Sequence, residues 1–353
     1  VSYEMKKTKL AVIGAGMMGA RHAELVCAHD KCALVGICDR DPNRKVVANK
    51  WQVPFYTSVE ELIEQENPSG AIIATPNSNH ISATEACAKK SVHVLIEKPI
   101  ADTIEGALRI EKITKSCNTR VLVGHHRRHN PIVLKTRELV REGVLGKLIG
   151  ASVLWALMKP DDYYRVQWRR KHLVGGPTLI NLIHDLDCLR FICGEITEIY
   201  AQTRSGVRGF DVEDTLSISL SFENGALGTL LASDACPSPW SYEATSRENP
   251  IYFHSDESCY NFLGTSGALS FPKMELWRYS DETKKGWQYP MEKVHIEVDS
   301  GDPLQAQLEH FCRVVEGKEE SIIDAKEGIK SLASALAIHE SALNGTPINP
   351  LIL

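Results

Sequence analysis

The sequence has ten cysteines but no CxxC pair, and it has no apolar run approaching the roughly 18 to 20 residues that a membrane span needs. Thiols scattered through a chain of this length exclude a disulfide scaffold and a paired-cysteine zinc or redox site; they read as buried, reduced side chains. His184 and Cys188 are spaced like a helical metal-ligand pair, but no second pair accompanies them, so no metal is expected. Charge of one sign is also missing. Forty Lys and Arg against 45 Asp and Glu leave a formal charge of -5, which excludes a broad basic surface for nucleic acid or an anionic membrane. The stretch VSYEMKKTKL lacks the apolar segment of a signal peptide, so a cytoplasmic protein is expected. Internal repeats, low-complexity tracts and long linkers are absent too.

What is present is a chain of 353 residues, 43% hydrophobic and 24% charged, the composition of a globular protein too long for one core. From Lys9 to Val123 the pattern alternates. KLAVIG, CALVGICD, GAIIATP, VHVLIEKP and RVLVGHH are short runs that are apolar throughout, and between them lie amphipathic stretches such as ARHAELVCAH, SVEELIEQ and HISATEACAKK. Strands of that kind alternating with helices predict a doubly wound parallel sheet covered on both faces. Beyond Pro131 the texture changes to longer alternating strands joined by turns such as Asn224-Gly225, with helices at GPTLINLIHDLDCLRFIC and from Pro303 to Asn344. The expected organisation is a doubly wound parallel domain over 1–123 and a second α+β domain with a mostly antiparallel sheet over 124–353.

Gly14, Gly16 and Gly19 form GAGMMG directly after the first strand. Glycines there permit a tight turn, let main-chain N–H groups approach a pyrophosphate and let the following helix pack closely. Strand before, helix after, and Asp39 at the end of the second strand raise this above a bare motif; Met17 and Met18 lie within it. Asp39 suits the ribose hydroxyls of NAD and repels a 2′-phosphate, while the adjacent Arg40, able to bind that phosphate, keeps NADP open. In an open parallel sheet the carboxyl ends of the strands face the ligand crevice. That rule places Thr75, Pro76, Asn77 and His80 of ATPNSNH along the cofactor, and Glu97 and Lys98 of EKP beside it.

AVIGAGMMG, ATPNSNH, VLIEKPIA and GGPTLINLIHDLD together resemble the glucose–fructose oxidoreductase/inositol dehydrogenase/rhizopine-catabolism (Gfo/Idh/MocA) family over nearly the whole chain. The resemblance implies a Rossmann domain plus a C-terminal α/β domain whose large open sheet binds substrate on one side and often a partner subunit on the other. It implies NAD(P)-dependent oxidation or reduction of sugars, cyclitols and related alcohols. An unusual, often cis, peptide before Pro99 would aim Lys98 at the nicotinamide and substrate, and an ammonium at the reacting oxygen stabilises a developing alkoxide. His184 matches the family's proton-transferring histidine. The family's aspartate four residues earlier is here Ile180, and the nearby polar residue is Asn181, three before His184 and so on its face of an α-helix.

His126 and Arg127 of GHHRRHNP, which follows the fifth strand, are expected at the pocket, as are Tyr163, Trp168 and Arg169 of KPDDYYRVQWRRK. Several arginines there also admit a carboxylated substrate. Asp185 and Asp187 are expected to pair with arginines or to cap local structure. The reading is a dehydrogenase with a small sugar-like or cyclic polyol substrate, no nucleic-acid or membrane partner, and a homodimeric or homotetrameric state. Two alternatives share the fold: a glycosidase that uses NAD for transient oxidation and elimination, and a catalytically silent NAD-binding regulator.

Overall fold

The computed structural model describes residues 7–281 and 283–352, which divide into two compact units. Strands β1 (Thr8–Ile13), β2 (Cys32–Cys38), β3 (Phe55–Tyr56), β4 (Gly70–Ile73), β5 (His93–Ile96) and β6 (Val121–Val123) pair in parallel in the order β3-β2-β1-β4-β5-β6. The helices between them are α1 (Met17–Ala28), α2 (Lys45–Trp51), α3 (Val59–Glu66), α4 (His80–Lys89) and α5 (Ile104–Ser116). Every residue of β4 is buried, as are Leu10 to Ile13 of β1 and Val94 to Ile96 of β5, which is why these strands show no alternation. Ser58 caps α3 and Thr103 caps α5, each accepting from a main-chain N–H three residues on. The order reverses direction between β1 and β4, and that switch point is where ligands of such sheets bind.

The other unit follows α6 (Pro131–Arg141) with β7 (Leu148–Ala156), α7 (Ile183–Cys193), β8 (Ile196–Arg204), β9 (Thr215–Phe222) and β10 (Leu227–Ser233). A one-turn α8 (Tyr242–Thr245), β11 (Tyr260–Gly264), β12 (Ala268–Phe271), β13 (Glu275–Arg278) and β14 (Glu292–His295) complete it. Its eight strands run β14-β13-β12-β11-β7-β10-β9-β8, antiparallel except for the β7–β10 pair. Leu216, Ile218, Leu220 and Phe222 of β9 point into the core while serines alternate outward, the period that the sequence shows. The Asn224-Gly225 turn joins β9 to β10, with Gly225 at φ 84.

One boundary differs from the sequence expectation. The first unit runs to His126 and also takes Pro303–Leu332, the segment holding α9 (Pro303–Val315) and the start of α10 (Ala325–Asn344). The reason is packing. A Cβ on Gly70 would lie 3.1 Å from Phe311 and 3.0 Å from Val315, so this glycine lets α9 sit against the start of β4. Thr8 also donates to Glu316 at 2.7 Å, and the Val123 N–H donates to the Ile323 carbonyl at 2.9 Å. Periodicity marks α9 as amphipathic but carries no information about which sheet covers its apolar face.

Candidate active site

At the end of β1 the chain turns at Gly14 with φ 95, and a Cβ there would lie 2.6 Å from the Ala74 carbonyl. A Cβ on Gly19 would lie 1.8 Å from the Gly14 oxygen, so only glycine lets α1 pack onto the turn. Gly16, by contrast, faces open space and is the N-cap of α1; no side chain caps the helix, so its first N–H groups are left for a ligand. Asp39 closes the turn: one carboxylate oxygen accepts from the Ala15 N–H at 2.6 Å, the other from the Asp41 N–H at 2.9 Å.

A cleft of about 620 Å³ opens here, lined by Gly14, Gly16, Asp39, Arg40, Thr75 and Pro76 among others. Arg44 lines it as well, a second guanidinium that the sequence reading did not single out. The buried Thr75 hydroxyl has no hydrogen-bond partner among the described residues. A glycine turn that excludes side chains, uncapped helix N–H groups and an unsatisfied hydroxyl are the features that a dinucleotide requires, and the residues fit one.

The remaining first-unit candidates lie outside that lining. Met17 is 80% exposed, and Asn77 is half-buried. His80 is fully buried and acts as a brace: Nε2 lies 3.0 Å from the Thr75 carbonyl, and Nδ1 lies 3.1 Å from that of Pro99 and 3.2 Å from that of Ile100. Burial holds its pKa below the ordinary histidine value. His80 therefore ties the loop after β4 to the loop after β5.

Glu97 is also buried, with one oxygen 2.7 Å from His22 Nε2 and the other accepting from the Lys98 N–H at 3.2 Å. Burial would raise its pKa, but the hydrogen bond and charge of His22, with smaller contributions from Lys98 and His126, together hold it low. It anchors the loop from below, while Lys98, half-buried, leaves the strand end ahead of a cis bond to Pro99. His126 is half-buried and close enough to Glu97 to help keep it ionised.

In the second unit the structure brings Arg127 and Asn181 together on a residue the sequence did not mark. Glu243 accepts from Arg127 Nη2 at 2.9 Å, from Trp155 Nε1 at 2.8 Å and from Asn181 Nδ2 at 3.4 Å. Arg127 is 3% exposed, lies 3.7 Å over the Tyr242 ring and forms a second ion pair, at 3.3 Å, with Asp185. It belongs to a buried network, and a guanidinium between two buried carboxylates is held away from solvent. Burial, with the Glu243 charge adding to it, pushes Asp185 up to about 6 against the opposing pull of Arg127, and Asp185 accepts the Tyr260 hydroxyl. Asp187 takes Arg128 in a two-point contact at 2.9 and 2.7 Å, as the sequence expectation had it.

The glycine pair makes a further link. A Cβ on Gly175 would fall 2.2 Å from the Arg169 carbonyl oxygen, so this glycine lets the Trp168-Arg169 segment approach. Gly176, at φ 80, leaves room for Glu213, which accepts from the Thr178 N–H at 3.0 Å and from its hydroxyl. Thr178–Leu182 then runs as a π-turn before α7. Asn181 is on the π-turn and His184 in the α-helix, so the shared-face argument from α-helical spacing does not carry across.

His184 is buried on α7. Arg169 stacks 3.9 Å over Tyr163 and donates to its carbonyl at 2.9 Å, whereas Trp168 is 43% exposed. Lys159, 7% exposed, lies 4.9 Å over the same Tyr163 ring and 3.5 Å from Asp234; burial lowers its pKa. In the second unit, Lys159, Trp155, Glu213 and Glu243 are side chains that sequence reasoning missed. None sits in a spaced motif, and only Lys159, at the head of KPDDYYRVQWRRK, was adjacent to a signal.

Residues 8–125 match the model of the Gfo/Idh/MocA oxidoreductase family, NAD-binding Rossmann fold, and residues 137–349 match that of its C-terminal α/β domain. The chain is 31% identical over 232 residues to myo-inositol 2-dehydrogenase of Thermotoga maritima, covering 63% of this chain and 67% of that protein. It is 29% identical over 227 residues to 2,7-anhydro-N-acetylneuraminate hydratase of Escherichia coli K12, covering 62% and 60%. The match thus spans about three-fifths to two-thirds of these relatives. The crystal structure of the WlbA dehydrogenase from Bordetella pertussis, in complex with NADH and UDP-GlcNAcA, has the same fold, with TM-score 0.77, 23% identity, and 98% of this chain and 99% of that one covered.

Proposed function

Because the chain belongs to the Gfo/Idh/MocA oxidoreductase family, with an NAD-binding Rossmann domain, we propose that it is an NAD(P)-dependent dehydrogenase acting on a sugar, cyclitol or related cyclic substrate. The reacting group is a hydroxyl or carbonyl, and the relatives named for inositol and for an anhydro-sugar acid support that substrate range. The observation that carries the reading is the Gly14–Gly19 turn, where no side chain fits at Gly14 or Gly19, opening into a cleft bounded by Asp39 and by Thr75 just beyond β4.

Gly14, Gly16 and the first N–H groups of α1 hold the pyrophosphate of the cofactor, and Asp39 holds its ribose. The nicotinamide, when bound, supplies the site that gives or takes the hydride. Lys98 holds the reacting oxygen and stabilises its developing charge, with its loop fixed by the Glu97–His22 contact and by the His80 brace. His184 moves the proton. Asn181 orients the substrate, Tyr163 and Arg169 contribute a stacked face for it, and Arg127 acts indirectly by holding Glu243. The experiment is a screen for NADH or NADPH formation across cyclitols, aldoses, sugar acids and glycosides. Turnover of at least one alcohol is expected; aglycone release without net NADH supports the glycosidase instead, and no signal with any compound overturns the dehydrogenase.

A second copy of the chain is the partner we propose for the outer face of the second unit's sheet. Leu231 pairs directly with Leu154, and Leu227 and Leu263 both pair with Gly150, so these leucines share a face, on which Leu227 is 63% and Leu231 52% exposed. Light scattering that gives a monomer removes this part of the reading.

A further inference from the structure

We infer that Glu243 is a positioning residue for Asn181, turning the side-chain carbonyl of Asn181 toward the substrate as an acceptor for a hydroxyl; this rests on the reading that Asn181 contacts substrate. Glu243 receives Arg127 at 2.9 Å and Asn181 at 3.4 Å on one oxygen and Trp155 at 2.8 Å on the other. A carboxylate held by a guanidinium only accepts, and an indole N–H only donates. An Asn181 oxygen turned toward Glu243 would set acceptor against acceptor, so the amide must present its NH₂ group there. That fixes the other end. The Asn181 Oδ1 is buried and has no hydrogen-bond partner among the described residues. A buried carbonyl left in that state is costly, and a ligand that brings a donor removes the cost.

A substrate hydroxyl meets that requirement. A carboxylate or carbonyl in the same place has no proton to share and is disfavoured, so the arrangement selects a substrate with a free hydroxyl facing Asn181. The same geometry disfavours an aspartate at position 181. A carboxylate at this position would stand beside Glu243, and Arg127, already paired with Asp185 at 3.3 Å, could not neutralise both.

The test is a stability cycle with wild type, Asn181→Asp, Glu243→Gln and the double variant, with Tm followed from about pH 5 to about pH 8. Arg127, Asp185, Lys159, Tyr252 and Cys259 also act electrostatically on Glu243, and their contributions largely cancel within the cycle. An aspartate beside Glu243 has its pKa raised, so its penalty is absent at low pH and grows as pH rises. Asn181→Asp should therefore lose roughly 3 °C more at the upper pH than at the lower. The double variant should recover most of it, because the amide that Glu243→Gln introduces can donate to the new carboxylate. A double variant that folds where the single does not is the same result.

A pH-independent loss, or no recovery in the double variant, overturns the inference. A kinetic arm uses myo-inositol and NAD. Glu243→Gln should raise KM for myo-inositol about tenfold, the worth of one aligned hydrogen bond, with KM for NAD within about twofold; an unchanged KM for myo-inositol overturns the role in substrate binding. If wild type forms no NADH from myo-inositol, the cyclitol form of the proposed function fails, and the stability cycle alone decides the part played by Glu243.

Discussion

In the function proposed above, the first unit would offer a ligand main-chain N–H groups at the Gly14–Gly19 turn, and the second would offer side-chain ends held around Glu243. The first arrangement works by removing side chains. Gly14 and Gly19 are needed because a Cβ would strike the Ala74 carbonyl at 2.6 Å or the Gly14 oxygen at 1.8 Å. The second works by burying charge: Arg127 pairs with both Asp185 and Glu243, and Glu243 also receives Asn181, so the geometry of Asn181 is a property of the network. A backbone site is most sensitive where a Cβ would collide, here at Gly14 and Gly19. A side-chain network is sensitive at every member.

Lys98 is the exception in the first unit, a side chain carried on a main-chain frame, and its removal should have the largest effect. Lys98→Ala is expected to lower kcat by about 10³ to 10⁴, or ~4–5 kcal/mol in barrier, with NAD affinity within about threefold. Steady-state kinetics beside calorimetric titration of NAD check this, and unchanged turnover removes Lys98 from the chemistry.

Next is the network. Arg127→Met leaves Asp185 and Glu243 buried without their cation, and denaturant unfolding should show a loss of about 3–4 kcal/mol while NAD binding survives. A loss below about 1 kcal/mol would mean that the ion pairs are not cooperative.

The smallest pair of effects sharpens the contrast within the turn itself. Gly19→Ala should weaken NAD about a hundredfold, ~2.7 kcal/mol, because the added carbon meets the Gly14 oxygen at 1.8 Å. Gly16→Ala has nothing within 4 Å and should stay within about fivefold. Equal effects at the two positions, read by the same titration, would show that the steric account of the turn is wrong.

The first unit was legible because each of its signals is local. A strand buried on both faces is apolar throughout, and a turn needing φ 95 calls for glycine at Gly14, so strand, turn, helix and the Asp39 terminus can be read from neighbouring residues. The loop after β5 was placed correctly at the strand end, but His22 and His80 as its supports were not apparent, since His22 lies 75 residues from Glu97. Asn181 was singled out, yet the π-turn that carries it is invisible to spacing arguments based on 3.6 residues per turn. Glu243 lies 62 residues from Asn181, 88 from Trp155 and 116 from Arg127, and nothing near it in sequence distinguishes it from a surface glutamate at the start of a short helix.

By itself the sequence determined the alternation of strands and helices, the antiparallel texture that follows it, the glycine turn and the strand ends that bear Asp39, Thr75 and Lys98. These rest on backbone conformation and hydrophobic period, which depend on a few adjacent residues. Only the tertiary structure decided that α9 belongs with the first sheet, that Arg127 is a buried ion-pair member, and that Glu243 faces Asn181. Those outcomes depend on which distant groups share a low-dielectric interior, where an unpaired charge or amide is costly enough to dictate its neighbours.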